Sequence, residues 1–327
     1  MSRLHLTPRV LLIGVGWVLL AFLLVRLDAS EIFALLRGIG WYFGLITVIY
    51  GGYEMLRALA LRQCVIAEHR PAYWDLLRIR ISGEAIQFLT FTGPFLAEPT
   101  KASYLRSRGL TTTEAFAATV TEFLIYMLLS AAMSVAGLYY LLHAFNLTRP
   151  VSVAARTILY GAGGFLLVSA YAVARRIYLI GYVISKIARL LSLRRFLNPV
   201  QVRHTEDLLL AVLRTRPRRL LSILLIESGA QLLLIFELFV LFWAVRQPVS
   251  PLSPFLIEAT TKFISVGFFF IPGQVGITEG AYAIVFHEIG LAASMGFALA
   301  LARRLRSLLF AGAGMTSAAL WERKSRS

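Results

Sequence analysis

Glu98 and Lys101 stand three residues apart, just after Gly93-Pro94, in a stretch that is largely apolar from residue 79 to 97. At that spacing two side chains share one face of a helix and can pair. A carboxylate at the start of a helix is also favoured by the positive end of the helix dipole. Gly93-Pro94 is expected to end one half-helix and Glu98 to begin the next. A second string, Pro272-Gly273-Gln274-Val275-Gly276-Ile277-Thr278-Glu279, sets a proline and two glycines ahead of another glutamate. Such a turn exposes backbone N–H groups that suit a phosphate. Glu279 would repel that anion unless a cation lay near, and Arg303 and Arg304, inside the last apolar stretch, are the candidates. Glu122 and Glu227 lie well inside apolar stretches with no partner close in sequence, whereas Glu54 with Arg57 and Glu258 with Lys262 can pair along their own helices. Ionisable groups at such depth are costly in hydrocarbon unless paired or hydrated, which makes them functional candidates. Two uses fit them equally: holding a lipid headgroup, or neutralising one another to lock helices together.

Other chemistries find no residues. The chain has no phosphate-binding G-x-x-x-x-G-K-[ST] string, no H-E-x-x-H, and no paired aspartates in a polar domain. Five scattered histidines and the single Cys64 offer neither metal-ligand spacing nor a disulfide. The expectation is a protein that is not an enzyme, with no cofactor and no metal.

The elements that must position these charges are membrane helices. Of the 327 residues 58% are hydrophobic and only 15% charged, and the mean hydropathy is +0.73. Apolar runs long enough to cross about 30 Å of hydrocarbon fall near 10–27, 40–63, 113–143, 155–180, 218–246 and 292–320. Two more, near 79–97 and 254–290, are interrupted by Gly, Pro and Glu. The expected fold is therefore all-α and polytopic, a single membrane domain over 1–327 with about six full spans plus two re-entrant, broken-helix hairpins. The net charge of +16 implies anionic lipid at the cytoplasmic face rather than nucleic acid. Basic residues gather at Arg3 and Arg9, at Arg62, Arg70, Arg78 and Arg80, at Lys101, Arg106 and Arg108, across 181–217, and at the C-terminus. With the hairpins re-entrant, those clusters share one side and both termini are cytoplasmic. Ile184, Ile187, Leu190 and Leu191 give 181–217 the spacing of a helix lying on the membrane surface.

The chain also repeats itself. Shifted by 181 residues, Glu98 meets Glu279, Ala102 meets Ala283, Gly109-Leu110 meets Gly290-Leu291 and Phe116-Ala117 meets Phe297-Ala298. The first repeat covers about 40–143 and the second about 218–320. With six crossings the halves have opposite directions, an inverted repeat of the kind that places broken helices at the bilayer midplane. Glu122 aligns with Arg303, so the halves present opposite charges at equivalent depth.

At the two hairpins the sequence resembles the lysylphosphatidylglycerol synthase transmembrane (flippase-like) family. The likeness rests on Pro94-Phe95-Leu96-Ala97-Glu98 with Lys101, and on Pro272-Gly273-Gln274-Val275-Gly276-Ile277-Thr278-Glu279 followed by Gly290 and the later arginines. Ala97 and Gln274 stand where the family often has glycine, and the soluble aminoacyl-transferase domain of two-domain members has no counterpart here. The resemblance implies a stand-alone flippase-like domain in a bacterial cytoplasmic (inner) membrane. Its expected work is to move an amphipathic phospholipid or isoprenoid lipid, with an anionic or zwitterionic headgroup, between leaflets. The alternative is a non-catalytic accessory subunit beside a lipid- or hopanoid-modifying enzyme.

Overall fold

The computed structural model describes residues 27, 29–67, 70–90, 93–178, 181, 199–267 and 274–326. The run at 10–26, Pro272, Gly273 and the four apolar residues of 184–191 lie outside them. The described residues form helices and no strands: α1 (Ala29–Ile39), α2 (Tyr42–Cys64), α3 (Tyr73–Leu89), α4 (Pro94–Arg106), α5 (Thr112–Ala144), α6 (Arg149–Arg175), α7 (Pro199–Thr215), α8 (Pro217–Ala244), α9 (Leu252–Gly267), α10 (Ile277–Glu288) and α11 (Ala293–Arg326). Among them α5, α6 and α8 are each long and apolar enough to cross a membrane. A fourth candidate arises if α1 and α2, bent by 69° at their junction, make one span. The bend sits at Gly40, whose φ of +43° is strained for residues with a Cβ.

Local chemistry sets the boundaries. Thr111 caps α5 in a reciprocal box: its hydroxyl accepts from the Glu114 N–H, and its own N–H donates to the Glu114 carboxylate at 2.9 Å. Proline in the first turn opens α4, α6 and α8, where a missing N–H costs nothing. The C-terminus of α2 is closed by Arg219, which donates to the carbonyls of Gln63 and Val65.

Helix starts are spaced alike in the two stretches that the 181-residue shift aligns. Helices α3, α4 and α5 begin at 73, 94 and 112, and α9, α10 and α11 at 252, 277 and 293. Their differences, 179, 183 and 181, bracket the shift found in the sequence. Helices α4 and α10 also end alike. Gly109 and Gly290 take φ of +94° and +81°. The next N–H reaches back five residues in each case, Leu110 to the Leu105 carbonyl at 3.5 Å and Leu291 to the Phe286 carbonyl at 2.8 Å. That is the Schellman stop, and it needs the left-handed residue that glycine supplies.

Packing between the halves is reciprocal. Helix α2 lies against its counterpart α8. A Cβ on Gly52 would meet Leu233 at 3.4 Å, and one on Gly229 would meet Leu56 at 3.5 Å. Numbers rise along α2 as they fall along α8, so the two run antiparallel. Gly52 and Leu233, where they meet, are themselves 181 apart. Helix α3 packs on α11, and its counterpart α9 packs on α5. A serine hydroxyl ties each pair to a carbonyl of the neighbouring helix: Ser82 to Gly314 at 3.2 Å and Ser134 to Ala259 at 2.7 Å.

Large apolar side chains cover the outside, among them Val48, Tyr160, Leu167, Leu225, Leu232 and Phe239. Trp41, stacked on Tyr42, lies with Trp243 at one end of α2 and α8, and Tyr73 with Trp74 follows the other end of α2. The Tyr73 hydroxyl donates to the Met55 carbonyl at 2.9 Å, well inside α2. Helix α7, the described part of the basic connection, is amphipathic; it buries Leu209 and Val212 while Arg203, His204 and Arg214 face out. Arg214 donates to the last carbonyls of α6, those of Val173 and Ala174.

Candidate functional site

The charges predicted from sequence gather in two buried clusters, the first drawing Glu227 across from α8. Glu122 of α5 is the hub of the first, with no exposure to solvent. Arg57 of α2 donates to it from Nε at 2.9 Å and from Nη2, Lys101 of α4 donates at 3.3 Å, and Arg80 of α3 lies 4.0 Å away. Each cation also serves a second carboxylate. Arg57 Nε is 3.0 Å from Glu227 of α8, Lys101 is 2.8 Å from Glu98, and Arg80 is 3.0 Å from Glu84 and 3.7 Å from Glu54. The stem of Lys101 fits because residue 83 is glycine: a Cβ there would lie 2.5 Å from Lys101 Cγ.

Arg303 of α11 is the hub of the second cluster. It donates to Glu258 of α9 at 2.8 Å and to the Tyr282 hydroxyl, and it lies 3.3 Å from Glu237 of α8. Lys262 bridges Glu258, at 2.8 Å, and Gln231. Arg306 pairs with Glu237. Next to this cluster Arg304 grips Glu279 with two nitrogens and also donates to the Gln274 carbonyl at 2.9 Å.

Two tyrosines join the clusters. The Tyr50 ring lies 3.7 Å beneath the Arg306 guanidinium, while its hydroxyl donates to Glu84 at 3.4 Å. The Tyr126 ring faces Arg57 at 4.0 Å and Lys262 at 5.9 Å. Desolvated cations on aromatic faces are stabilised by about 2 kcal/mol. The network is nonetheless short of donors. Both carboxylate oxygens of Glu54, Glu98 and Glu227, and one of Glu237, are buried without a hydrogen bond. Cations lie at ion-pair distance from all four, but Arg57 Nε gives its hydrogen to Glu122 rather than Glu227, and Arg80 Nε stops 3.7 Å from Glu54. A buried charge left so poorly solvated is strongly destabilising by itself.

The structure brings most of the expected residues together and rearranges some. Glu98 pairs with Lys101, and Glu258 with Lys262, as their spacing predicts. Glu279 pairs with Arg304 alone; Arg303, the other candidate, turns to Glu258 and Glu237. Glu54 and Arg57 do not pair along α2, because stronger partners arrive from α3, α5 and α8. The break after α3 precedes Gly93, so Gly93-Pro94 opens α4 instead of closing a half-helix, and Glu98 is the fifth residue of that helix. Gly93 takes φ +46° at this start. The phosphate cradle expected before Glu279 is altered too: the Gly276 N–H donates to the Glu279 carboxylate itself at 2.9 Å, a self-cap. Arg80, counted in sequence among the basic flanks, is buried. Sequence reasoning missed Glu84, Glu237, Arg306 and the tyrosines. Two signals were there, the Arg80–Glu84 spacing of four and the Arg303–Arg306 spacing of three, each a shared helix face.

Outside both clusters, an open groove of about 570 Å³ runs along the α4–α5 turn, lined by Ser103, Arg106, Ser107, Leu110, Thr111 and Thr112.

Apolar helices of spanning length, a lipid-facing surface and buried ion networks define an integral membrane protein of the polytopic helical class. The family described as the lysylphosphatidylglycerol synthase TM region matches residues 9–314, and the chain belongs to it. No curated protein and no solved structure matches the chain.

Proposed function

We propose that this chain is a flippase-like protein that carries an amphipathic lipid, a phospholipid or an isoprenoid lipid, between the leaflets of a cytoplasmic membrane. The tails stay in the bilayer while the polar headgroup passes the buried charges. In this reading the six spans and two re-entrant hairpins form an inverted repeat, with both termini cytoplasmic. The antiparallel packing of counterpart helices α2 and α8 supports it: equivalent helices that run in opposite directions require an axis lying in the membrane plane.

The observation that carries the proposal is the pair of buried clusters. Their hubs, Glu122 and Arg303, occupy equivalent positions 181 residues apart and have opposite signs. An anionic or zwitterionic headgroup suits such a lining, with Lys101, Arg303 and Arg304 facing its phosphate and Glu98, Glu122 and Glu279 facing any cationic part. The test is reconstitution of the pure chain in liposomes, following labelled anionic, zwitterionic and isoprenoid-phosphate lipids. Faster exchange between leaflets than in protein-free vesicles is expected for at least one class. No acceleration of any class by correctly folded protein would remove the proposal.

A second reading is favoured by the closure of the clusters on their own ion pairs. There the charges lock the helices, and the chain is an accessory subunit that holds a lipid-modifying enzyme at the bilayer. It predicts co-purification with such an enzyme, and lipid exchange no faster than background.

A further inference from the structure

The first cluster holds five carboxylates, Glu54, Glu84, Glu98, Glu122 and Glu227, against three cations, Arg57, Arg80 and Lys101. The second, counted with Arg304 and Glu279, holds four cations against three carboxylates. Among the described residues its single surplus positive charge leaves the two clusters together one negative charge in excess. An uncompensated charge in hydrocarbon neutralises itself rather than remain ionised. The position of the excess is legible in the hydrogen bonds. Three glutamates lack a donor on both oxygens; Glu98 is 7% exposed with Lys101 at 2.8 Å, whereas Glu54 is 1% exposed and Glu227 not at all. Arg57 Nε, at 3.0 Å from Glu227, gives its hydrogen to Glu122; Arg80 Nε, at 3.7 Å from Glu54, is itself without a hydrogen-bond partner.

The surroundings of both carboxyls are fully charged. Glu54 faces Arg80 and Glu84 from α3, Glu122 from α5 and Arg57 on its own helix, with Tyr50 and Tyr53 alongside. Glu227 faces Arg57 from α2, Glu122 from α5, Arg80 from α3 and Lys101 from α4, with the Cys64 thiol near both Glu122 and Glu227. The other helices on α2 and α8 direct their charges elsewhere. Lys262 of α9 and Arg303 and Arg306 of α11 belong to the second cluster. On α7, Glu206 accepts from the Gly181 N–H, Asp207 from Tyr178, and Arg214 caps α6. Glu31 and Arg37 of α1 are exposed.

We infer that Glu54 and Glu227 form an exchangeable proton-binding site that holds at least one proton per chain at neutral pH, and that its loading frees Arg57 to take the anionic headgroup of a lipid. The second clause rests on the translocation reading above. A proton suits the site better than a metal cation. Guanidinium and ammonium groups already stand between the carboxylates and repel a metal ion, whereas a neutral carboxylic acid supplies the donor that the orphaned oxygens lack. With Glu227 neutral, Arg57 keeps Glu122 as its one charged partner and can accept a second anion. When the O–H bond of Glu227 breaks, the proton passes to water, the carboxylate re-forms its pair with Arg57, and the anion is expelled. Proton movement and headgroup movement are thereby linked on one arginine.

The test counts protons and needs no transport. The full chain, folded in mild detergent in weakly buffered solution at pH 7, is unfolded with sodium dodecyl sulfate under pH-stat control. Unfolded glutamates ionise near pH 4.3, so about one to two protons per chain should be released. Glu54→Gln and Glu227→Gln should each reduce the release and the double variant abolish it, while Glu288→Gln, at the surface, should match the parent chain. No release from the parent chain, or full release from a folded double variant, overturns the inference. If the variants do not fold, the infrared carbonyl band of a neutral buried carboxyl decides on the parent chain: its absence at pH 7 is fatal. A release that disappears in sodium chloride, with sodium bound in its place, makes this a sodium site and also overturns it. A positive proton count with no lipid exchange defeats the translocation reading alone, and lipid exchange that ignores pH in the parent chain defeats the coupling.

Discussion

Replacing Glu122 by glutamine keeps the shape of the hub and removes its charge. The carboxylate has no solvent exposure and accepts two hydrogen bonds from Arg57 and one from Lys101. Glutamine offers Arg57 a single carbonyl and turns an NH2 group toward a cation. Breaking a buried pair costs about 3–5 kcal/mol when the surviving charge has no other partner. Here Arg57 retains Glu227 at 3.0 Å and Lys101 retains Glu98 at 2.8 Å. The lower end of that range is therefore expected, about 3 kcal/mol, or roughly a hundredfold in the folded-to-unfolded ratio. Unfolding by sodium dodecyl sulfate from mixed micelles, followed by circular dichroism, measures it. A cycle with Arg57→Met separates the pair from its background: the coupling should be about 1–3 kcal/mol. A loss under about 0.5 kcal/mol, the scale of an ordinary surface change, or strictly additive effects in the cycle, would refute the assignment of Glu122 as the hub.

Three further outcomes are expected of the same assay. Gly83→Ala places a methyl 2.5 Å from Lys101 Cγ and should cost about 1–3 kcal/mol by overpacking, whereas Gly161→Ala, with nothing within 4 Å, should stabilise by up to about 1 kcal/mol; equal effects would mean that Lys101 does not lie over Gly83. Gly137→Ala and Gly314→Ala meet Ala259 Cβ at 2.5 Å and the Ile81 carbonyl at 2.4 Å, so both reciprocal contacts between the halves should weaken, each by about 1–3 kcal/mol. If either is neutral, the close packing of that helix pair is wrong. Arg219→Ala removes the donors to the Gln63 and Val65 carbonyls and should cost about 1.5–3 kcal/mol; hydrogen exchange at the end of α2 should rise with it, and unchanged exchange would count against the cap.

Helix positions were legible because apolar runs and breaks are local. The run at 113–143 became α5 and that at 218–246 became α8, within two residues at each end. Pairs set by helix geometry were legible too, as Glu98 with Lys101 and Glu258 with Lys262 demonstrate. What failed was any inference that needed the third dimension. Glu54 and Arg57 share a helix face, yet neighbouring helices supply both with other partners. Arg80 read as a cytoplasmic flank because it follows Arg78 by two, but successive residues of that kind point to different sides of a helix, and only Arg80 turns inward. Glu237 is invisible in a run of leucine and phenylalanine until α11 brings Arg303 and Arg306 against it. The alignment of Glu122 with Arg303 set residues of opposite charge against each other. It did not foretell that each would be answered within its own cluster.

The central claim is that these two clusters carry a headgroup across the membrane, and one comparison tests it most directly. Liposomes containing the parent chain, Glu122→Gln or Arg303→Gln are loaded with a labelled lipid that the parent chain exchanges, and the rate of loss of outer-leaflet label is measured for each. Both variants must be shown to be folded and present in equal amounts. The account predicts that each slows exchange at least tenfold, since about 1.4 kcal/mol of lost stabilisation at either hub already suffices for that factor. Full exchange by both folded variants would contradict it.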